Sequence, residues 1–286
     1  MVLVREVSGP AQALAGGQAT YQATKFNVPN PPSEEIQQIN WIVKRDEETV
    51  AQFNQIGATL VFDVPADLLG QRIRVMPFRH SPSATVSVMS RVVADINTVG
   101  AEIVVLSRSD WGARTDLPRL GAIVNRGSRT EVFIHHTVII DEDETTNEWE
   151  GLDEVRQRMR ELQTIRPDLG RDVPYNFVAF CMAGGELVLG EGRGLDRSGA
   201  HTVGHNHSAL AVSFQGNFEE LPLPANLDAQ LTALGNWLRE RREQDGFVNL
   251  GTDRPLGREV FGHRDIKATD CPGQHVFDRL SLVQFL

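Results

Sequence analysis

The feature that most constrains this chain is a change of hydrophobic period near residues 97–107. Upstream, short runs rich in β-branched and aromatic residues predict strands at 19–26, 36–44, 59–64, 72–78 and 84–93. Turn segments such as Pro29-Asn30-Pro31-Pro32-Ser33 and Ala66-Asp67-Leu68-Leu69-Gly70 separate them. Strands this short and this closely spaced predict a small antiparallel β-sandwich over 1–98. Downstream, strands predicted at 131–134, 175–182, 186–190 and 209–214 alternate with helical patterns. Leu152, Val155, Met159 and Leu162 recur at helical spacing ahead of Pro167. Leu227, Leu231, Leu234 and Leu238 line one face of a second helix, with Asn226 as its candidate cap, and a third is predicted over 276–285. The fold class expected of 105–286 is therefore α/β, a mixed central β-sheet flanked by helices.

Charge and cysteine usage narrow the function. The chain has 28 basic and 38 acidic side chains, a formal charge of −10, and residues 105–286 carry −8 of it. Nucleic-acid binding needs a concentrated basic surface, so no nucleic-acid partner is expected. No apolar run is long enough to predict a membrane span. Residues 1–17 lack a basic start followed by a long apolar run, so the expectation is a chain without a secretory signal, made in the cytoplasm. Cys181 lies in the apolar run Phe177-Val178-Ala179-Phe180-Cys181-Met182 and reads as a buried strand residue. Cys271 precedes a proline in a polar loop and needs another explanation. In the first half no metal-ligand cluster or nucleophile constellation stands out. His80 reads as a surface residue, and Trp41 sits where immunoglobulin-like domains bury a tryptophan, an architectural resemblance only.

Three segments carry chemistry. Glu131-Val132-Phe133-Ile134-His135-His136-Thr137 is an apolar strand ending in two histidines. Phe261-Gly262-His263-Arg264-Asp265-Ile266 follows much later, and Thr269-Asp270-Cys271-Pro272-Gly273 places a cysteine eight residues past His263. Two imidazoles and a thiolate suit Zn²⁺, with a fourth position left for water. Water held there would approach a pKa of about 7 and serve as a nucleophile at neutral pH. Spacing alone leaves a plainer reading open, one core histidine and several surface ones, because the chain has eight histidines.

The surrounding blocks resemble the peptidoglycan-recognition protein and type 2 N-acetylmuramoyl-L-alanine amidase family, from about residue 107 to the C-terminus. They run in order. Ser109-Asp110-Trp111-Gly112-Ala113-Arg114 comes first, then Phe133-Ile134-His135-His136-Thr137 and Val173-Pro174-Tyr175-Asn176-Phe177. Gly190-Glu191-Gly192-Arg193-Gly194 and Gly199-Ala200-His201-Thr202-Val203-Gly204-His205-Asn206 follow. Val212-Ser213-Phe214-Gln215-Gly216-Asn217-Phe218 precedes the His263/Cys271 segment. The resemblance implies His135, His263 and Cys271 as zinc ligands, Tyr175 as catalytic tyrosine and Thr269 near the transition state. It implies hydrolysis, by a zinc-bound water, of the amide between N-acetylmuramic acid and the L-alanine of the stem peptide.

His136 maps beside the ligand position and is expected to point to the other face of its strand. His201 is the implied substrate contact, while His205 and His207 read as surface histidines near it. Arg193 and Arg197 are candidates for stem-peptide carboxylates, which guanidinium groups bind bidentately, though a solvated surface arginine explains either equally well. At Arg197 this extends to an expected preference for diaminopimelate over lysine stems. Leu195 departs from the family, standing where an aromatic usually follows the glycine-rich block, and the family's frequent small disulfide is absent. The biological expectation is a phage endolysin or a delivered antibacterial lytic enzyme acting at the bacterial wall or periplasm, with bacterial peptidoglycan as partner. The first hundred residues would serve as a targeting or binding module. The alternative is a peptidoglycan-binding protein without turnover.

Overall fold

Alternation of apolar and polar side chains builds the first of two compact units, Met1–Gly100 and Ala101–Leu286. A computed structural model describes residues 1–80, 87–89, 93–138, 146–253 and 256–286. The first unit runs β1 (Val4–Ser8), β2 (Gln12–Leu14), β3 (Gln18–Phe26), α1 (Ser33–Ile36), β4 (Asn40–Arg45), β5 (Glu48–Phe53), β6 (Thr59–Asp63), β7 (Arg72–His80), β8 (Ser87–Met89) and β9 (Ala94–Val99). One sheet has the order β1-β3-β6 and the other β2-β9-β7-β4-β5, with β8 also on β7. In β3, Ala19, Tyr21 and Ala23 turn inward while Gln18, Thr20 and Gln22 face solvent. They share one core with Leu60 and Phe62 and, from the other sheet, Trp41, Val43, Ile73, Val75 and Ile96. That makes a sandwich. Trp41 is fully buried and donates its indole N–H to the Gly57 carbonyl at 2.9 Å.

Two strand expectations change. The stretch 36–44 divides, because the prolines ahead of Ser33 start a short helix and Glu34 and Glu35 suit its first turn. The strand then begins at Asn40, whose amide bonds the Phe78 carbonyl. Of 84–93, residues 84–86 and 90–92 lie outside the described residues, and Ser87–Met89 pairs with β7. His80, at the end of β7, is exposed.

The second unit contains β10 (Ile103–Leu106), β11 (Glu131–His136), β12 (Glu148–Trp149), α2 (Leu152–Ile165), β13 (Phe177–Met182), β14 (Leu187–Glu191), β15 (Ala209–Phe214), α3 (Leu227–Gln244), β16 (Phe261–Gly262) and α4 (Gln274–Phe277). Its sheet has the order β10-β14-β13-β15-β11-β16, with β12 also on β13. Strands β11, β12, β13, β15 and β16 run parallel, and β14 opposes β13, so the sheet is mixed as expected. Every residue of β11, β13 and β15 is buried, as parallel strands covered on both faces require. On one face, Leu227, Leu231, Leu234 and Leu238 of α3 pack against Ile134, Phe177, Leu189 and Val212. On the other, Val155, Met159 and Leu162 of α2 cover Val178, Phe180 and Val188. Beyond α2 on that same face, Phe133, Ala209 and Phe261 form a small separate cluster. This part of the face carries the site.

Cys181 is fully buried in β13, as its apolar surroundings imply. Asn226 stands at the N-cap of α3 without capping it, since its amide turns to the Ala183 carbonyl at 3.3 Å. The helix expected over 276–285 stops at Phe277, followed by a single 3₁₀ turn at Leu280–Leu282. Glu259 holds the last residues outside a helix by accepting from the backbone N–H groups of Phe285 and Leu286 at 2.5 and 3.0 Å.

Candidate metal centre

Strand register brings the first two histidines together. Phe133 and Ile134 pair with Phe261 and Gly262, so His263, one residue past β16, emerges beside His135 with ring centroids 4.7 Å apart. The return of the chain supplies Cys271. Arg264 N donates to the Cys271 carbonyl at 2.8 Å, Asp265 accepts from Gly262 N, and Cys271 N donates to the Thr269 hydroxyl at 3.3 Å. One ligand atom each from His135, His263 and Cys271 then lies within 4.8 Å of the others. Cys271 Sγ and His135 Nδ1 are 3.5 Å apart. A tetrahedral ion bound through nitrogen and sulfur spaces its ligands about 3.4–3.6 Å apart. That pair already fits, and His263 is only partly buried.

The electrostatics suit metal ligation at the two histidines and oppose it at the cysteine, whose thiol must lose its proton to bind. Burial, with His201, His263 and His136 nearby, holds His135 well below the ordinary imidazole range, and burial with Lys267 lowers His263. Both rings are neutral at pH 7, as ligands must be. Burial pushes the Cys271 thiol up to about 11, against the opposing pull of the His136 N–H and Arg264.

Tyr175, just ahead of β13, has its ring 5.3 Å from that of His135. Its phenol is pushed up to about 12, chiefly by burial, and so keeps its proton at neutral pH. Asn176 anchors this segment: fully buried, it donates to the carbonyls of Gly194 at 2.7 Å and Arg197 at 2.9 Å and accepts from Ala211 N at 2.9 Å. Thr269 is partly exposed and braces the Cys271 turn. His136 turns away from the cluster, its Nδ1 accepting from Phe218 N at 3.3 Å, while its own N–H points to Cys271 Sγ at 3.4 Å.

The candidate substrate residues separate. His201 stands behind His135, its Nδ1 lying 3.3 Å from His135 Nε2, on the side of the ring away from Cys271. Arg193 is only 4% exposed and points inward, 3.3 Å from the Ser198 carbonyl and 4.0 Å from buried Asp172. Arg197 is partly exposed and donates to the Gly121 carbonyl at 2.8 Å. His205 pairs with Glu131 at 2.8 Å, and His207 faces solvent. Sequence reasoning passed over Asn176, Thr202 and Asn206 as supports. For Asn176 and Thr202 the available signal was a polar residue directly beside Tyr175 or His201, and Asn206 lies five residues past His201 in the same block.

No family model matches the chain. Peptidoglycan-recognition protein LB of Drosophila melanogaster is 30% identical over 182 residues, which span 62% of this chain and 67% of that protein. N-acetylmuramoyl-L-alanine amidase of Mus musculus is 31% identical over 172 residues, 57% of this chain and 29% of that protein. Among solved structures, wild-type PGRP-LB of Drosophila aligns at 25% identity over 63% of this chain and 93% of that chain, with a TM-score of 0.49. By its identity to the LB protein over two-thirds of that relative, the chain belongs to the peptidoglycan-recognition protein family.

Proposed function

We propose that this protein is a zinc-dependent N-acetylmuramoyl-L-alanine amidase, a peptidoglycan hydrolase that frees the stem peptide from the glycan. The observation that carries the reading is the convergence of His135, His263 and Cys271 within 4.8 Å, beside Tyr175. Two neutral imidazoles and one thiolate, three protein donors rather than four, are the donor set of a catalytic rather than a structural zinc. A zinc ion held there supplies Lewis acidity and activates water at neutral pH. In this reading Tyr175, which keeps its proton, donates a hydrogen bond to the amide oxygen as negative charge develops on it. The Thr269 hydroxyl accepts from Cys271 N and retains its own proton to donate toward the same oxygen. The products are a glycan with free lactyl groups and a peptide beginning with L-alanine.

Recognition without turnover is the competing reading, favoured by relatives whose names record recognition alone. One experiment separates the two. Wild type and Cys271→Ser are assayed for bound zinc, for release of peptide from a soluble muramyl tripeptide, and for co-sedimentation with insoluble peptidoglycan. Serine stays protonated at neutral pH and ligates zinc poorly, so the variant is expected to lose metal and turnover while still sedimenting with the wall. A wild type that binds zinc and wall but leaves the amide intact is a recognition protein. A Cys271→Ser variant that keeps both zinc and turnover removes Cys271 from the metal shell.

A further inference from the structure

We propose that Thr202 and His201 are positioning residues that hold His135 in the tautomer able to bind metal. The inference rests on the metal reading above. His135 presents Nδ1 to the cluster, 3.5 Å from Cys271 Sγ, and therefore turns Nε2 away from it. On that far side stand two groups able to accept, His201 Nδ1 at 3.3 Å and Thr202 Oγ1 at 3.4 Å. These two are themselves 2.9 Å apart.

A neutral imidazole carries one ring proton. If it sits on Nδ1, no lone pair faces the metal; if it sits on Nε2, Nδ1 is a ligand. The contacts can run in either of two directions, and the one that leaves His135 Nδ1 a lone pair for a metal is as follows. His135 Nε2–H donates to Thr202 Oγ1, the Thr202 hydroxyl donates to His201 Nδ1, and the proton of His201 lies on Nε2. Metal-binding histidines characteristically donate their other N–H to such a partner, which sets the tautomer and the ring orientation. Thr202 is 2% exposed, and a hydroxyl that deep is costly unless bonded.

The turn bearing both residues is held firmly. Asn206 Oδ1 accepts from His201 N at 2.9 Å and from Thr202 N at 3.0 Å, and Ala200 N donates to the Pro174 carbonyl at 2.7 Å. Gly199 lets the His201 ring lie flat against the backbone, since a Cβ there would come within 2.2 Å of His201 Cδ2.

The test uses the full chain and zinc alone. Zinc affinity is measured by competition with a chromophoric chelator for wild type, Thr202→Val and Thr202→Ser. Valine keeps the shape without the hydroxyl and is expected to weaken affinity at least about tenfold, while serine stays within about twofold of wild type. Valine binding zinc as tightly as wild type would overturn the inference and leave the metal reading standing. A wild type that takes up no zinc overturns both. Should the valine variant fold poorly, ¹⁵N-imidazole NMR of zinc-loaded wild type reads the tautomer directly. Protonated Nε2 on His135 is expected, and protonated Nδ1 would overturn the assignment.

Discussion

At the scale of single residues, the two tyrosines differ in burial and in use, Tyr21 being fully buried and Tyr175 half-buried. The Tyr175 phenol lies beside His135 and keeps its proton. Tyr175→Phe should leave zinc content unchanged and slow turnover of a soluble muramyl tripeptide by about 100-fold, the usual cost of losing one oxyanion donor. A wild-type rate would remove Tyr175 from catalysis. Tyr21 is 1% exposed in the sandwich core, and its hydroxyl has no hydrogen-bond partner among the described residues. Burial raises its phenol to about 12. The folded state therefore holds a proton that the unfolded chain releases near pH 10. The resulting stability is complete below pH 10 and is lost as pH rises toward 12. Between pH 8 and pH 11, urea midpoints should show wild type losing about 1 kcal/mol more than Tyr21→Phe. Equal losses would mean that the Tyr21 hydroxyl reaches solvent. The sequence singled out Tyr175 through the block around it; nothing local distinguished Arg193 from a surface arginine, because Asp172, which it meets inside the fold, is 21 residues away in the chain.

At the scale of elements, α3 shows how tertiary contact reverses a local preference. Gly235 lies inside the helix, where alanine is intrinsically better by about 1 kcal/mol. A Cβ at Gly235 would come within 2.6 Å of the Gln284 carbonyl oxygen and 2.8 Å of Gln284 N, both backbone atoms. Overpacking of this kind costs about 1–3 kcal/mol and outweighs the propensity gain. Gly235→Ala is expected to lower the thermal midpoint, and a raised midpoint would show that the C-terminal segment yields freely. The same segment explains the missing third helix. Its apolar spacing reads as helical, yet Gly235 leaves room for the Gln284 backbone and Glu259 binds the backbone N–H groups of Phe285 and Leu286, both from far away in sequence. The helices α2 and α3 were legible because each buries a stripe at 3.6-residue spacing, a property of the segment itself. The capping role of Asn226 was not, since its amide found a strand carbonyl instead.

At the scale of the whole molecule, every residue assigned to the proposed site lies in Ala101–Leu286, which is compact by itself. Residues 101–286 alone should fold, load zinc and cleave soluble muramyl peptides at close to the full-length rate. The cut belongs at 101 rather than 105, because Ile103–Leu106 forms a sheet strand and Leu187 N bonds the Glu102 carbonyl at 2.9 Å. A soluble, zinc-loaded but inactive fragment would mean that the first hundred residues complete the site. By itself the sequence determined the change from short strands to alternating strands and helices, the apolar faces of α2 and α3, and the histidine and cysteine types that suit a metal. These depend on side-chain period and donor chemistry, which neighbouring residues decide. Only the tertiary structure decided which groups meet. Parallel pairing of β16 with β11 puts His263 beside His135, Cys271 returns to the pair from a loop, and Thr202 and His201 arrive behind His135 from 66 residues away. Such juxtapositions depend on strand register and loop path, and these are set by packing energies summed over the whole sheet rather than by any local run of residues.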